Sequence, residues 1–243
     1  MPRKFRKYKL LYALIFLFTL IIIIGLAFSC TKVDKTPHPV PMYYDYYPLN
    51  ENLVRYYEVD STGWFNSKSH AHYFMKVQFS RKITDASGNN QYIYTRFRRL
   101  DSNSNWKIID EVAMYMNNNQ AMYQEGNISY VKLIFPVTTN GNPTWDANKY
   151  NLTDSTHYYN AKYTGVHVPY SINGLSFDST ANVEYENNTD IISTNKYTER
   201  YATNVGLINA SRTELEVQPG NNPPATNDTA GYAYTIKLTA YTK

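Results

Sequence analysis

The run HYFMKVQFSRKI (His72–Ile83), the linker TDASGNN and the run QYIYTRFRRL (Gln91–Leu100) decide the fold class of this chain. In both outer runs, large apolar or aromatic residues alternate with polar ones, which is the period of a β-strand with one buried face. The linker contains Asp, Ser, Gly and Asn, the residues that favour tight turns. The pattern therefore predicts two antiparallel strands joined across a turn at Asp85–Asn90.

One aromatic residue of this hairpin breaks the alternation. Phe97 is out of step with Tyr92 and Tyr94, so we expect a bulge or a change of face near Thr95. Arg96 and Arg98 belong to the same run. Because an unpaired buried charge is strongly unfavourable, we expect both arginines to share a solvated face.

Strand-like runs of the same kind continue to the C-terminus. They amount to about ten to twelve strands with short connections, and no long helix is predicted after the first 29 residues. Such spacing is typical of an all-β chain folded as a single antiparallel meander, in the form of a barrel, a half-barrel or a sandwich. Residues 49–243 are numerous enough to form this domain and to bury a core without disulfides.

The first 29 residues have the composition of an export signal. Five of the first nine residues are Lys or Arg, no acidic residue precedes Cys30, and residues 10–28 are uncharged and almost wholly apolar. A basic start followed by an apolar run is typical of a secretory signal peptide. An uncleaved membrane anchor is the alternative, since about 20 apolar residues can span a bilayer. Both interpretations place residues 31 onward outside the inner membrane, because the basic end stays in the cytoplasm.

Cys30 is the only cysteine of the chain and directly follows the apolar run. The sequence Ala27-Phe28-Ser29-Cys30 resembles a bacterial lipobox, in which the cysteine receives a diacylglyceryl group and becomes the first residue after cleavage. This resemblance implies a signal peptide at residues 1–29 and a lipid on Cys30 with acyl chains such as palmitate. A lone thiol can close no disulfide within the chain. The next residue is Thr31 rather than the Asp that resembles an inner-membrane retention signal, so the outer membrane is the expected location.

Residues 30–48 are predicted to be the lipid anchor and a tether. The stretch from Thr31 to Pro48 contains four prolines and little apolar periodicity. Proline favours extended chain, so this composition is typical of a semi-rigid spacer. The predicted order is thus a signal peptide, a tethered anchor and one β domain.

The net charge of the chain depends on the predicted signal peptide. The whole chain has 24 basic and 20 acidic residues, but five of the basic residues lie in the first 29. Residues 30–243 therefore have 19 basic and 20 acidic residues, a net charge of −1. No basic field remains to attract nucleic acid. The expected membrane contact is the lipid on Cys30.

Motifs that would indicate catalysis or cofactor binding are absent from the sequence, which has no nucleophile elbow, zinc-protease helix motif, P-loop or dinucleotide fingerprint. His70 and His72 would share one strand face and could begin a zinc site, but a catalytic site needs a third ligand. His157 or His167 could supply it only if the fold brought them together. We therefore predict two surface histidines, and no metal, cofactor or catalytic residue. Carboxylate pairs for glycoside hydrolysis, such as Asp178 with Glu184, are not distinguished by sequence.

Tyrosine is unusually abundant, with 25 copies. Exposed tyrosines could stack on sugar rings or line a binding face. Tyrosine also suits half-buried strands, where cross-strand packing stabilises a sheet. Packing is the favoured interpretation, and a binding face is the alternative.

Two segments resemble a family of Bacteroidetes outer-membrane lipoproteins to which no activity is assigned. YYDYYPLNENLVRYYEVDS (Tyr43–Ser61) is similar to the family pattern "YYPL…YEVDS", and ERYATNVGLI (Glu199–Ile208) is similar to "YA..VGLI". The chain departs from the first pattern at Val54 or Arg55, near an expected Trp. The resemblance implies a β-rich fold like the half-barrels of periplasmic lipid carriers, and it supplies no site residue. Gly206 is expected to let the chain bend between two strands.

These features together favour a lipid-anchored, non-enzymatic envelope protein. The first hypothesis is a binding module that holds an apolar or glycan ligand in the mouth or on the concave face of the sheet. The alternative is a structural or interaction subunit of a surface complex. A hydrolase with dispersed acidic residues is the third. An enclosed cavity with a few convergent polar groups would favour the binding module.

Overall fold

The computed structural model describes residues 16–19, 39–65, 67–85, 88–151, 159–217 and 229–242. The chain divides into two compact units, residues 1–40 and residues 41–243. In the first unit the described part includes a short helical segment at residues 16–19. No helix in the described part of the chain has the length and apolar character needed to cross a membrane. Cys30 lies outside the described residues, so the lipid attachment and the cleavage site stay predictions.

The second unit consists almost wholly of β-strands. It begins with a short 3₁₀ helix, Tyr44–Tyr46, and its described residues then form twelve strands. These are β1 (Val54–Phe65), β2 (Ser67–Thr84), β3 (Asn90–Arg99), β4 (Lys107–Asn117), β5 (Gln120–Glu125), β6 (Ile128–Ile134), β7 (Thr144–Asp146), β8 (Asn160–Ile172), β9 (Leu175–Thr189), β10 (Ser193–Ala202), β11 (Gly206–Val217) and β12 (Thr229–Thr242).

All twelve strands belong to one antiparallel sheet in the order β6-β5-β4-β3-β2-β1-β12-β11-β10-β9-β8-β7. Each strand pairs with its neighbours in sequence, except that β6 is not paired with β7 in the sheet and β1 also pairs with β12 along most of its length. The sheet therefore joins two meanders of six strands, and the first and last strands lie at its centre. The prediction of an all-β antiparallel meander is confirmed, and the sheet curls into a nearly closed barrel.

The two edge strands of the sheet, β6 and β7, meet at the seam of this barrel. The backbone N–H of Val131 donates to the carbonyl of Ala147 at 2.9 Å. The indole Nε1 of Trp145 donates to the carbonyl of Val131 at 2.9 Å. Tyr163 donates from its hydroxyl to the carbonyl of Ile134 at 2.6 Å. These contacts occupy edge groups that would otherwise be open to pairing with another chain.

The hairpin predicted from His72–Ile83 and Gln91–Leu100 is present as β2 and β3, with Thr84 opposite Asn90 across the turn. Phe97 lies on the opposite face from Tyr94, and the ammonium of Lys76 lies 4.0 Å from its ring centre. The register between β3 and β4 shifts between Arg96 and Phe97. The expected irregularity is thus present near Phe97.

Residues 42–53, here called the plug, cross one end of the barrel. The hydroxyl of Tyr47 donates to the carbonyl of Met122 on β5 at 2.8 Å. The hydroxyl of Tyr46 lies 2.7 Å from that of Ser179 on β9. Tyr94 of β3 donates to a plug carbonyl at 3.2 Å. Because these strands are far apart in the sheet, the plug must span the barrel end. Residues 41–48, which the sequence assigned to the tether, therefore belong to the folded unit.

Candidate functional site

A cavity of about 200 Å³ lies inside the barrel. Its walls come from the plug and from strands of both meanders. Seven tyrosines line it: Tyr47, Tyr57, Tyr123, Tyr130, Tyr197, Tyr201 and Tyr234. Six charged side chains also reach it: Arg55, Arg96, Glu125, Lys132, Glu199 and Arg212. A closed apolar and aromatic wall with a few polar groups is the usual character of a small-molecule site.

A buried ion pair between Lys132 and Glu199 joins the two halves of the barrel across this cavity. The ammonium of Lys132 lies 2.8 Å from Oε1 of Glu199. It also donates to the hydroxyl of Tyr197 at 2.8 Å. Both side chains are nearly inaccessible to solvent. Because β6 and β10 belong to different meanders, this pair fixes one half of the barrel against the other.

Four tyrosine rings surround the ammonium of Lys132. The rings of Tyr123, Tyr130, Tyr185 and Tyr197 have their centres 5.2–5.4 Å from it. Tyr185 and Tyr197 are also stacked on each other, with ring centres 4.5 Å apart. A cation over aromatic faces gains energy when it is desolvated. The cage therefore offsets part of the cost of burying Lys132.

The carboxylate of Glu199 is saturated with donors. Oε1 accepts from Lys132 and from the hydroxyl of Tyr197. Oε2 accepts from the hydroxyl of Tyr201 and lies 2.8 Å from the hydroxyl of Tyr185. A carboxylate accepts about four hydrogen bonds. Both oxygens of Glu199 are therefore engaged by groups of the protein, although the single hydroxyl proton of Tyr185 is shared with the carbonyl of Lys132 at 2.9 Å.

The charge state of this cluster follows from its contacts. Burial opposes ionisation of Glu199, but the charge of Lys132 and the hydrogen bonds outweigh it, and the pKa of Glu199 lies below its usual value. Burial, reinforced by the negative charge of Glu199, raises the pKa of Tyr185, Tyr197 and Tyr201 well above the usual value of 10.0. Near neutral pH the carboxylate is therefore charged and the tyrosines are protonated donors.

Two further cations lie at more exposed positions in the cavity wall, and both have anionic partners. Arg96 binds Asp110 through two nitrogens, with Nε at 2.6 Å from Oδ1, and also binds Glu125. Arg212 donates to Glu214 at 2.7 Å and to Tyr159 at 3.0 Å. The expectation of a solvated face is therefore wrong for Arg96, because paired carboxylates allow its guanidinium to line the interior.

Arg55 differs from these cations because no residue in the described ranges gives it an anionic partner. Its side chain is only 2% exposed. Among the same residues its Nε has no hydrogen-bond partner, and Nη2 makes one long contact, 3.8 Å, to Sδ of Met114. The guanidinium lies over the ring of Tyr94 at 5.4 Å. Within the described part of the chain, no carboxylate lies within 4.0 Å of it.

Gly206 makes room for the Arg55 guanidinium. Its φ of +83° is the left-handed region that favours glycine, and a Cβ there would lie 2.9 Å from Nη1 of Arg55 and 3.4 Å from Cδ of Pro48. Gly206 begins β11 directly after the turn from β10, at the bend expected from the sequence. It also leaves the space that Arg55 occupies.

The two segments that carry the family resemblance meet at this site. Arg55 belongs to the first segment, and Glu199 and Gly206 belong to the second. The hydroxyl of Tyr57 donates to the carbonyl of Leu207 at 2.9 Å, which ties the segments together. The cavity charges were missed from the sequence, although Glu199 alternates with two tyrosines, Tyr197 and Tyr201. Because alternate residues of a strand share one face, this spacing could have predicted that Glu199 points into the interior with the two tyrosines.

The histidines considered for a metal site are not assembled into one. His70 and His72 are exposed, as predicted, and Nδ1 of His72 lies 2.8 Å from Asp60. Glu58 lies beside this pair, so that the ligand atoms of Glu58, Asp60 and His72 are within 4.8 Å of one another. His167 instead lies 2.9 Å from the hydroxyl of Tyr46. The remaining candidate, residue 157, lies outside the described residues.

Asp178 and Glu184, the carboxylate pair considered for hydrolysis, are not close together. Both lie on β9, six residues apart, which corresponds to roughly 20 Å along an extended strand. Glycoside hydrolysis needs two carboxylates no more than about 9.5 Å apart. Glu184 is instead paired with Lys162 at 2.9 Å. This pair therefore cannot act as a hydrolytic centre.

Two solved structures illustrate what this chain is similar to. One is a candidate lipoprotein from Parabacteroides distasonis, with 13% identity and a TM-score of 0.40 over 84% of this chain and 100% of that chain. The other is a candidate exported protein with a YmcC-like fold from Bacteroides fragilis, with 9% identity and a TM-score of 0.44 over the same shares. No family model and no curated protein matches the chain. At these identities and TM-scores, neither structure bears on the function of this chain.

Proposed function

We propose that this protein is a lipid-anchored, non-enzymatic binding module of the bacterial cell envelope, and that it holds a small apolar or glycan ligand inside its barrel. The observation that supports this most directly is the cavity of about 200 Å³ with seven tyrosines in its wall. Tyrosine rings offer flat faces for sugars or apolar groups, and their hydroxyls orient polar atoms. The lipid on Cys30 would hold the module at the outer membrane, in keeping with the export signal.

The arrangement of acids in the cavity supports binding rather than catalysis. A general acid or base needs a pKa near the working pH and a free position toward the substrate. Glu199 has a pKa lowered from its usual value, and both its oxygens are engaged by Lys132 and tyrosines. Glu125 is engaged by Arg96. These acids serve to fix the cations of the wall.

A thermal-shift screen of the full chain tests the proposal. The panel contains neutral sugars, uronic acids, small carboxylic acids and their neutral amides. Ala210 lines the cavity and is buried, so Ala210→Phe should fill the space and abolish stabilisation by any ligand. Ala71→Phe makes the same change at an exposed position of β2 and should leave it intact. Stabilisation that survives Ala210→Phe, or none by any compound, contradicts the proposal.

The alternative role, an interaction subunit, is favoured by one feature of the outer face. The guanidinium of Arg99 lies 4.6 Å from the ring of Trp106, next to Phe74. Leu100 and Ile108 are exposed nearby in the sequence, at 62% and 70%. Exposed apolar groups of this kind can mark a contact surface. Reduced self-association or complex formation after Trp106→Ser, with ligand binding unchanged, would support this role.

A further inference from the structure

We propose that Arg55 is an anion-binding residue and that the ligand of the cavity is a small monocarboxylate with an apolar or aromatic body. This inference rests on the proposed function, whose ligand it specifies. Of the four cations that line the cavity, Arg96, Lys132 and Arg212 have carboxylate partners. Arg55 has none in the described part of the chain. A buried guanidinium without a counter-ion is strongly unfavourable, so a bound anion would complete the site.

The guanidinium lies in the cavity wall next to the plug. The plug lies beside it, since both Arg55 and Pro48 contact the space next to Gly206. The Tyr94 ring is 5.4 Å from the guanidinium carbon, and Met114 lies at 3.8 Å from Nη2. Neither neighbour satisfies Nε, which is buried and has no hydrogen-bond partner among the described residues. Arg55 is part of the cavity wall, so its guanidinium is the group of the wall that an anionic ligand would complete.

The chemistry of the pocket favours a carboxylate over a phosphate. A guanidinium presents two parallel N–H donors that match the two oxygens of a carboxylate. One unpaired positive charge is neutralised by one negative charge, and a dianion would add repulsion from Glu199, which lines the same cavity. The other acid in the wall, Glu125, is held by Arg96.

The neighbours of Arg55 also favour an apolar body on the ligand. Met75, Val77, Met114 and Leu207 line the cavity together with Arg55. Its volume of about 200 Å³ lies below the ~300–1,000 Å³ of most drug-sized pockets. A short aliphatic or arylalkyl acid fits these limits better than a long acyl chain or an oligosaccharide.

Calorimetric titration of the full chain with 4-phenylbutyrate tests the inference, with 4-phenylbutyramide as the neutral analogue of the same shape. The purified protein is kept in a nonionic detergent throughout. We expect the acid to bind more tightly than the amide. Arg55→Met should weaken binding of the acid by about 10- to 100-fold, the value of a hydrogen bond to a charged group. It should leave binding of the amide unchanged.

Two further variants separate charge from geometry. Arg55→Lys retains the positive charge but loses the planar fork, so its affinity for the acid should lie between those of the wild type and Arg55→Met. Arg98→Met removes an exposed guanidinium from β3 and should leave the affinity unchanged. Equal loss of affinity in Arg98→Met and Arg55→Met would contradict a specific role for Arg55.

The outcomes distinguish this inference from the proposed function. One outcome would overturn the anion site and retain the binding module. In that case the acid and the amide bind equally well, Arg55→Met changes neither affinity, and Ala210→Phe abolishes both. Failure of every probe to bind would overturn both. Inorganic phosphate competing more strongly than the acid would overturn the choice of carboxylate.

A ligand-free measurement tests whether Arg55 has a structural role instead. Because Arg55 makes no ion pair with any residue that the structure describes, Arg55→Met should unfold at the same temperature as the wild type or higher. Addition of the acid should then raise the unfolding temperature of the wild type only. A marked drop for ligand-free Arg55→Met would assign Arg55 to the core and overturn the inference.

Discussion

Glu199 is both charged and buried, and its hydrogen-bond partners explain how it can be both. Moving an ion pair from water into a protein interior costs roughly several kcal/mol for each ion. Further hydrogen bonds to both charged groups can offset this cost. Lys132 and the hydroxyls of Tyr185, Tyr197 and Tyr201 provide them. In this barrel, tyrosines therefore stabilise buried charged groups as well as packing across strands.

At the same scale, Glu199→Gln should lower the free energy of unfolding by about 3–5 kcal/mol, because Lys132 is left buried without a counter-ion. The matched control is Glu125→Gln, whose side chain is 46% exposed beside Arg96 and should cost about 1 kcal/mol or less. Urea denaturation followed by tyrosine fluorescence measures both values. Equal effects of the two variants would show that the buried pair is not a distinct source of stability.

The lowered pKa of Glu199 predicts a pH dependence of stability. The contribution of this carboxylate is present above its usual pKa of 4.5. It is lost as the pH falls through the lower folded-state pKa, because the unfolded chain takes up a proton first. The double variant Lys132→Met/Glu199→Gln lacks this ion pair and serves as the reference. As the pH falls, the unfolding free energy of the wild type should decrease more than that of the double variant only below about pH 4.5. An extra loss between pH 6 and pH 8 would contradict the assignment.

The sequence indicated the residue types of the site but not their positions. Tyrosine abundance allowed a binding face, yet Arg96, which lines the cavity, was expected to lie on a solvated face with Arg98, and no position was predicted for Lys132 or Glu199. Lys132 and Glu199 are 67 residues apart and lie on strands of different meanders. A pairing of that kind depends on closure of the barrel, which strand periodicity does not encode. Arg55 was noted only as a departure from a family pattern.

At the scale of elements, the β2–β3 hairpin was predictable because its information is local. Period-two alternation gives the strands, and a turn rich in Asp, Gly and Asn sets their pairing. The plug was not predictable, because it follows a proline-rich stretch typical of a tether and its apolar residues show no period. Tyr46 and Tyr47 are buried because the plug covers one end of the barrel, and this end forms only when distant strands come together.

The plug should contribute measurably to stability. Tyr47 is buried and its hydroxyl donates to the carbonyl of Met122, so Tyr47→Ala should lower the free energy of unfolding by about 3–5 kcal/mol. Tyr44 lies in the same segment but is 45% exposed, and Tyr44→Ala should cost about 1 kcal/mol or less. Chemical denaturation of the two variants measures the difference. Similar small losses would place the plug outside the cooperative unit.

At the scale of the whole molecule, the pairing of β1 with β12 turns two meanders into one sheet. Eleven positions of β1 have a partner on β12, so the ends of the folded unit are held at its centre. A pairing across almost the whole chain is slow to form and invisible to local patterns. This explains why the sequence left barrel, half-barrel and sandwich open while it correctly predicted the all-β meander.

The predicted attachment of this protein to a membrane depends on one residue, Cys30, which makes the last prediction simple to test. Cys30 is the only cysteine, so no other thiol can take up a thioether-linked lipid. In bacteria fed an alkyne-tagged palmitate, the wild-type protein should be labelled and should fractionate with the outer membrane. Cys30→Ser should be unlabelled and should keep its signal peptide, because the predicted cleavage requires the modified cysteine. Label retained by Cys30→Ser would refute the lipoprotein prediction, and an unlabelled wild type that still fractionates with the inner membrane would favour the uncleaved anchor.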